Sequence, residues 1–219
     1  ASKDSWTGFM REAKTIAAKA PAATLKQGGD VDVAFSGGKT VEAFYAYPYL
    51  SHSPMEPQNC TASWKGDSIE FWAPTQAPDR ALDMLAELMG VDKSKVLIHQ
   101  VRAGGGFGRR LSNDYMCEVA AITKRMGVPV KLQWTREDDM THDFYRPGGF
   151  HQMKGAVDAK GRLAAWSDHF ITVSGDGKNP NASANMETDA FPVSVLSHHR
   201  VGQTFLASTT PTGPWRAPR

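Results

Sequence analysis

The chain has 219 residues, of which 41% are hydrophobic and 22% are charged, and its formal net charge is only +2. This composition is typical of a globular protein with a sizeable core, and the small charge excludes the basic surface of a nucleic-acid-binding protein. No apolar run approaches the roughly 18 residues that span a bilayer, and the first four residues are not a signal peptide. The compartment stays open between a soluble location, the periplasm and association with a membrane through partners.

The first predicted element is a helix over residues 6–19, where apolar residues recur at helical spacing. Because this opening carries no chemical motif, residues 1–38 are interpreted as the tail of a preceding module and residues 39–219 as one domain. Within that domain, a hairpin is predicted to join residues 60–64 to residues 69–72, since aromatic and β-branched residues flank a Lys-Gly-Asp turn.

The next elements form a strand–turn–helix unit. Thr75 is expected to cap a helix over about 77–89, and a strand over 96–102 leads into residues 104–108, called here the glycine turn. A further helix is predicted over about 112–126. Its apolar face is predicted to consist of Leu111, Tyr115, Val119, Ile122 and Met126.

A second hairpin is predicted between residues 150–158 and 162–173, and a polar loop over 174–189 follows it. Helices and strands alternate only in part, and the two hairpins interrupt them. The predicted fold class is therefore α+β, with a mixed β-sheet and packed helices, rather than a doubly wound parallel sheet.

The glycine turn is the first candidate site, because four glycines in five positions leave the backbone open to a ligand. A helix start behind it would supply unpaired N–H groups that suit an anion or an oxo group. The spacing fits neither a dinucleotide fingerprint, because Arg109 replaces the third glycine, nor a phosphate-binding P-loop. Arg109 and Arg110 oppose the helix dipole, so both are expected to face solvent or an anion. A Gly-rich bulge without function is the alternative.

The other polar clusters carry weaker signals. His52 and Glu56 lie four residues apart, but prolines exclude the helix that would align them on a metal, so His52 is expected to form ordinary hydrogen bonds. The acidic run over 136–143 favours a solvated or salt-bridged turn over a calcium loop. His198, His199 and Arg200 are expected at an exposed polar edge, and the two cysteines are predicted to be ordinary buried thiols rather than a metal site or a disulfide. No set of metal ligands is predicted.

Five segments in this order carry a family resemblance: residues 48–57, 72–78, 104–108, 134–140 and 213–218. Their succession resembles the large, molybdopterin-binding subunit of the xanthine oxidase family of molybdenum hydroxylases. It is most similar to the branch of the isoquinoline 1-oxidoreductase β-subunit and membrane-linked aldehyde dehydrogenases, and it covers about residues 12–219.

The resemblance implies a molybdopterin cofactor, hydroxylation with water as the oxygen source, and electrons that leave through iron–sulfur clusters. It implies that Gln76 hydrogen-bonds an oxo group on molybdenum and that Gly106, Phe107 and Gly108 bring backbone N–H groups to an oxygen ligand of the metal. Arg216 would stabilise developing negative charge. The implied partners are the remaining lobe of the same subunit, an iron–sulfur small subunit and a small-molecule substrate, with a cytochrome as a further candidate.

Several residues depart from the family pattern. Leu111 stands where purine-oxidising members carry a glutamate that contacts the substrate, which favours an apolar N-heterocycle or an aldehyde. Arg219 replaces a glycine of the branch, and the general base, a glutamate in a Gly-x-Gly-Glu motif, has no counterpart in these residues. The chain is therefore expected to be a fragment, the first molybdopterin-binding lobe of a longer subunit, and inactive alone. The alternatives are a non-catalytic lobe for assembly or protein binding, and a phosphate-ligand binder that uses Arg109 and Arg110.

Overall fold

The structure, a computed structural model, describes residues 5–216, and the chain divides into two compact units. The first unit contains the residues up to Leu50 together with Tyr145–Thr212, and the second contains Ser51–Phe144 and the residues from Gly213 onward. In chain order the elements are α1 (Trp6–Ala17), β1 (Ala23–Gly28), α2 (Val31–Ser36), β2 (Lys39–Tyr47), β3 (Asn59–Trp64), β4 (Ile69–Ala73), α3 (Pro78–Met89), β5 (Val96–Gln100), α4 (Asp114–Met126), β6 (Val130–Gln133), α5 (Arg136–Thr141), β7 (Gly149–Val157), β8 (Leu163–Ser174) and β9 (His198–Ala207).

The first unit is built on a five-stranded sheet in the order β1-β9-β8-β7-β2, in which only β8 and β9 are parallel. The predicted second hairpin is confirmed as β7 and β8, and the polar loop follows it. The predicted N-terminal helix is confirmed as α1, which begins behind the capping hydroxyl of Ser5. Its apolar face packs Phe9 and Ala13 onto Phe150 and Leu206.

Residues 5–38 form α1, β1 and α2 of this unit, and β1 pairs antiparallel with β9. The interpretation of residues 1–38 as the tail of a preceding module stays a prediction. The expectation of an exposed edge at His198 and His199 is wrong, because β9 is an internal strand between β1 and β8. His199 is buried, and its Nδ1 donates to the carbonyl oxygen of Leu196 at 2.8 Å.

The second unit has a four-stranded mixed sheet in the order β5-β4-β3-β6. The predicted hairpin is confirmed as β3 and β4, and α3 connects β4 to its parallel neighbour β5. Helices α3 and α4 pack on this sheet. The large side chains of the core are Ile69, Phe71, Leu85, Met89, Tyr115, Met116 and Val119. With two mixed sheets and packed helices, the predicted α+β class is confirmed.

Two local predictions for the helices of this unit are wrong. Of the predicted face of α4, Tyr115 and Val119 are buried as expected, but Ile122 and Met126 are exposed and Leu111 precedes the helix. The other buried residues are Met116, Ala120 and Thr123. The buried face is rotated from the predicted one because the small side chains of Ala120 and Thr123 lie against the sheet. There the Thr123 hydroxyl accepts a hydrogen bond from the N–H of Trp64. Helix α3 has Ala77 as its N-cap, and the Thr75 hydroxyl accepts the N–H of Ala77 from outside the helix. Within residues 5–216, no helix is long and apolar enough to cross a membrane.

The two cysteines lie in this unit and are free thiols, as predicted, but only Cys60 is fully buried. Cys60 is buried in β3, and burial raises the pKa of its thiol to about 12. Cys117 is half-buried on α4, where burial also raises its pKa. A thiol with a raised pKa is a poor nucleophile at neutral pH, so neither cysteine is a candidate for covalent chemistry.

Candidate functional site

The glycine turn lies in the second unit and follows β5 in the chain. The strand ends at Gln100, and the turn is followed by a 3₁₀ turn, Arg109–Leu111, before α4 begins at Asp114. The expected direct step from the glycine turn into an α-helix is therefore wrong. Any free N–H groups at this site belong to the turn itself and not to the first turn of α4.

Two of the glycines are required by their surroundings. Gly108 has a φ of +108°, and a Cβ there would overlap the carbonyl oxygen of Pro214. A Cβ on Gly106 would lie 2.5 Å from Oε1 of Gln76. Phe107, between them, also adopts a left-handed backbone conformation, with a φ of +55°. Only a turn without side chains at positions 106 and 108 allows these close approaches.

Every carbonyl oxygen of the glycine turn accepts a hydrogen bond from the same unit. The bonds are Glu56 N to Gly104 O at 3.2 Å, Arg110 Nε to Gly105 O at 2.9 Å, Arg109 N to Gly106 O at 2.8 Å, Arg216 N to Phe107 O at 2.8 Å and Leu111 N to Gly108 O at 3.0 Å. The turn therefore presents no free carbonyl oxygen to a ligand.

Only some N–H groups of the turn are hydrogen-bonded, in contrast to its carbonyl oxygens. Gly104 donates to Glu56 Oε2 at 2.7 Å, and Gly108 donates to Gln76 Oε1 at 3.1 Å. The N–H groups of Gly105, Gly106 and Phe107, called here the donor row, have no acceptor among residues 5–216. Backbone N–H groups without an acceptor are the kind of donor that suits an anionic oxygen ligand.

Gln76 lies between β4 and α3, beside this turn. Its backbone N–H donates to Arg110 O at 3.0 Å, and its Oε1 must face the Gly108 N–H, which fixes the orientation of the amide. The Nε2 donor then has no acceptor in the described part of the chain. The half-buried side chain also covers Gly106. The structure thus brings Gln76 into contact with both ends of the segment Gly106, Phe107 and Gly108.

Arg216 touches the turn only through its backbone, whose N–H donates to Phe107 O. Its side chain is exposed and has no partner within the described ranges. The proposed stabilisation of charge by this guanidinium stays a prediction. The remaining residues of its motif, 217 and 218, and the departure at Arg219 lie outside the described residues.

Arg109 is expected from the sequence to face either solvent or an anion, and the structure excludes solvent. The side chain is fully buried, forms a bidentate pair with Asp114 at 2.8 Å, and lies over the rings of Trp134 and Phe144. Its Nε also lies 3.1 Å from Asp143 Oδ1, an ion-pair distance at which the N–H is not aligned for a hydrogen bond. Burial would lower the pKa of Arg109, but its hydrogen bonds to Asp114 and the negative charges of nearby aspartates, Asp114 first among them, raise it.

Arg110 is equally buried and is bound to the glycine turn. Its Nη2 donates to Glu56 O at 2.9 Å and to Glu56 Oε2 at 3.0 Å, in addition to the bond from Nε to Gly105. The guanidinium lies over the ring of Tyr115. Because both arginines are enclosed and paired with protein groups, the hypothesis that they bind a phosphate ligand is wrong.

His52 forms ordinary hydrogen bonds, as predicted. Its Nδ1 lies 3.0 Å from Asp143 Oδ1, and its Nε2 lies 3.1 Å from the carbonyl oxygen of Pro214. Burial would raise the pKa of Asp143, but hydrogen bonds from His52 and Ser51 lower it below its usual value. In residues 5–216, no group of three or more His, Cys, Asp or Glu side chains could hold a metal ion.

The acidic run is salt-bridged as expected, but it forms a helix instead of a turn. Thr135 and Asp138 make a capping box that starts α5. Asp139 is buried, pairs with Arg136 at 2.8 Å and accepts the side-chain amide of Gln58 at 3.0 Å. These carboxylates are therefore structural.

The chain matches the model of a known protein family and is similar to curated relatives. The model of the molybdopterin cofactor-binding domain family matches residues 13–195. The chain is 39% identical over 137 residues to a membrane-bound aldehyde dehydrogenase (pyrroloquinoline-quinone) of Gluconacetobacter polyoxogenes, which covers 62% of this chain and 18% of the relative. It is 35% identical over 106 residues to isoquinoline 1-oxidoreductase subunit beta of Brevundimonas diminuta, which covers 48% of this chain and 14% of the relative.

Among solved structures, quinoline 2-oxidoreductase from Pseudomonas putida 86 aligns with a TM-score of 0.72 at 18% identity, over 94% of this chain and 28% of that one. At this identity the likeness shows the fold alone. The chain spans less than a fifth of the length of the two relatives named above.

Proposed function

Since this chain belongs to the molybdopterin cofactor-binding domain family, we propose that it forms part of the molybdopterin-binding subunit of an oxidoreductase. The whole subunit would hydroxylate an N-heterocycle or oxidise an aldehyde, with water as the oxygen source. When bound, the cofactor supplies the redox chemistry, and the protein supplies binding, orientation and electrostatics. The general base is expected outside these residues, so the 219 residues alone should not turn over.

The donor row is the observation that carries this proposal. Gly105, Gly106 and Phe107 offer three N–H groups, and Gln76 adds the amide of Nε2 beside them. Such an array fits the oxygen atoms of an anionic cofactor, since each donor is preorganised and no carbonyl oxygen of the turn is free to repel them. We propose Gln76, Gly106, Phe107 and Gly108 as cofactor-binding residues on this basis.

The substrate class is proposed from the residues around the turn and from the relatives. Leu111 is an apolar, half-buried side chain in the 3₁₀ turn, and the Phe107 ring is 59% exposed. Both would favour an apolar aromatic or aldehyde substrate over a purine. The two relatives are named for an aldehyde and for isoquinoline, in line with this choice. The exposed Arg216 would stabilise negative charge that develops on such a substrate.

The proposed partners follow from the same membership. One relative is named as a subunit beta, which supports a protein of several subunits. We propose the rest of the same subunit and an iron–sulfur small subunit as partners, with a cytochrome as a further candidate electron acceptor. No partner is a nucleic acid, since the net charge is only +2.

The test replaces Gln76 in the full-length protein. Gln76→Glu keeps an oxygen for the Gly108 N–H but replaces the Nε2 donor with a negatively charged oxygen. We expect turnover of an aldehyde or N-heterocycle to fall about 100-fold or more, with little change in the thermal midpoint, because loss of one aimed donor has effects of this size. Gln133→Glu, the same change at an exposed position on β6, is the matched control. Turnover near that of the wild type in Gln76→Glu would refute the assignment.

A further inference from the structure

The direction of each free N–H group in the donor row is set by the peptide unit to which it belongs. In a trans peptide, the carbonyl oxygen of one residue and the N–H of the next point in opposite directions. All peptide bonds of the glycine turn are trans, since among residues 5–216 only the Phe191–Pro192 bond is cis. A hydrogen bond to a carbonyl oxygen of the turn therefore aims the following N–H away from that bond.

This relation gives each member of the donor row its own anchor. The bond from Glu56 N to Gly104 O aims the N–H of Gly105, and the bond from Arg109 N to Gly106 O aims the N–H of Phe107. Both of these anchors are backbone groups. The N–H of Gly106, the central member, is aimed by the bond from Arg110 Nε to Gly105 O, and this anchor is a side chain.

We propose that Arg110, held by Glu56, is a positioning residue that fixes the Gly105–Gly106 peptide and thereby aims the Gly106 N–H at the ligand of the donor row. The nature of that ligand rests on the proposed function, but the anchoring of the peptide does not. A glycine–glycine peptide is the one most able to flip, because glycine accepts positive and negative φ equally well. Without an anchor, a carbonyl oxygen could replace the central N–H.

Glu56 keeps Arg110 in place. Its Oε2 accepts both Arg110 Nη2 at 3.0 Å and the N–H of Gly104 at 2.7 Å, and its backbone carbonyl oxygen accepts Nη2 at 2.9 Å. The carboxylate of Glu56 therefore neutralises the buried guanidinium of Arg110. It also accepts the N–H of Gly104, the residue before the donor row. The planar guanidinium can donate to Gly105 and to Glu56 at once, which a lysine ammonium on its flexible stem does poorly.

The first test compares two substitutions in the full-length protein. Arg110→Lys should lower kcat about 10- to 100-fold and leave KM within about twofold, since a misplaced donor affects the reacting state more than initial binding. Arg162→Lys is the control, because Arg162 also pairs with a carboxylate through two guanidinium nitrogens but lies in the first unit and makes no contact with the glycine turn. Its kcat should stay near that of the wild type even if its thermal midpoint falls. Equal losses of kcat in the two variants would overturn the proposal.

The second test needs no cofactor and uses the ¹⁵N-labelled 219-residue chain. Arg110→Lys should shift or split the amide resonance of Gly106, whereas that of Phe107, with its backbone anchor, should move little. Glu56→Gln should give a smaller shift of the Gly106 resonance. This variant provides the test if Arg110→Lys does not fold. An unchanged Gly106 resonance in a folded variant would overturn the proposal. If that resonance moves but the Gln76 variants keep full turnover, the anchor stands and the proposed function fails.

Discussion

Each unit contains a histidine–aspartate pair, but the two pairs have different surroundings. In the first unit, Nδ1 of His151 lies 2.9 Å from Asp168 Oδ2, between the paired strands β7 and β8. In the second unit, His52 pairs with Asp143 in loops and also reaches the carbonyl oxygen of Pro214. The strands around His151 are already aligned by their ladder of hydrogen bonds. The loops around His52 have no ladder, so their geometry depends on such side-chain bonds.

The comparison shows that a histidine–aspartate pair does not by itself mark a functional site. What distinguishes the second unit is the donor row, whose carbonyl oxygens are all engaged while three consecutive N–H groups have no acceptor in the described residues. The buried side chains there hold a loop in a shape that a regular sheet would not adopt.

The largest difference in stability is expected between alanine variants of the two aspartates, Asp143 and Asp168. Asp143→Ala would leave Nδ1 of His52 without its acceptor and remove a negative charge next to the buried Arg109, so the free energy of unfolding should fall by about 3–5 kcal/mol. Asp168→Ala removes the partner of His151 alone, and the loss should be about 1–3 kcal/mol. Urea unfolding of the 219-residue chain, followed by circular dichroism, measures both values. Equal losses would contradict the distinction drawn between the two pairs.

The second test concerns one glycine in each unit. Gly108→Ala should lower the free energy of unfolding by about 2–4 kcal/mol, because the residue has a positive φ and the Cβ would overlap Pro214 O. Gly161, in the turn between β7 and β8, has a φ of +77° and open space around it, so Gly161→Ala should lower it by only about 1–2 kcal/mol. The same unfolding experiment decides between them, and a larger loss for Gly161→Ala would show that the close approach at Gly108 is not required.

The elements predicted from the sequence are those whose side chains repeat with a local period. Helix α1 and both hairpins follow from spacing and turn residues, because their contacts are made by neighbours in the chain. Helix α4 also follows from spacing, but only Tyr115 and Val119 of its predicted face are buried. Ala120 and Thr123 carry too little hydrophobicity to mark a core position, and only their fit against the sheet buries them.

The site was predicted only in part, for a related reason. Gln76 and the glycines of the turn lie in recognisable motifs, and the structure brings them into contact. The burial of Arg110 could not be read from its neighbours, because its carboxylate partner Glu56 lies 54 residues earlier in the chain. The available signal was a glutamate between prolines in one motif and an arginine directly behind the glycine turn, which becomes informative only when the two are considered as a pair.

A smaller effect on the free energy of unfolding is expected when the pH is lowered. The folded-state pKa of Asp143 is lowered from 3.8, so its charge contributes stability above about pH 4, and this contribution is lost as the pH falls toward the lowered value. Asp143→Asn removes the charge at every pH. The difference in unfolding free energy between the wild type and this variant should therefore shrink as the pH falls below about pH 4. Urea unfolding at a series of pH values tests this, and a difference that grows in acid would have the wrong sign.

The smallest effect is expected for an exposed arginine pair with nearly the same bond lengths as a buried one. Arg162 donates to Asp158 at 2.8 and 2.9 Å in the first unit, and Arg109 donates to Asp114 at 2.8 Å in the second. The Arg162 side chain is 73% exposed, so water screens the pair, and Arg162→Ala should change the unfolding free energy by about 0.5 kcal/mol or less. Arg109→Met should lower it by about 3 kcal/mol or more, because Asp143 then loses a nearby buried charge. A similar loss for both variants would mean that bond geometry, and not burial, determines how strongly these pairs hold the backbone around them.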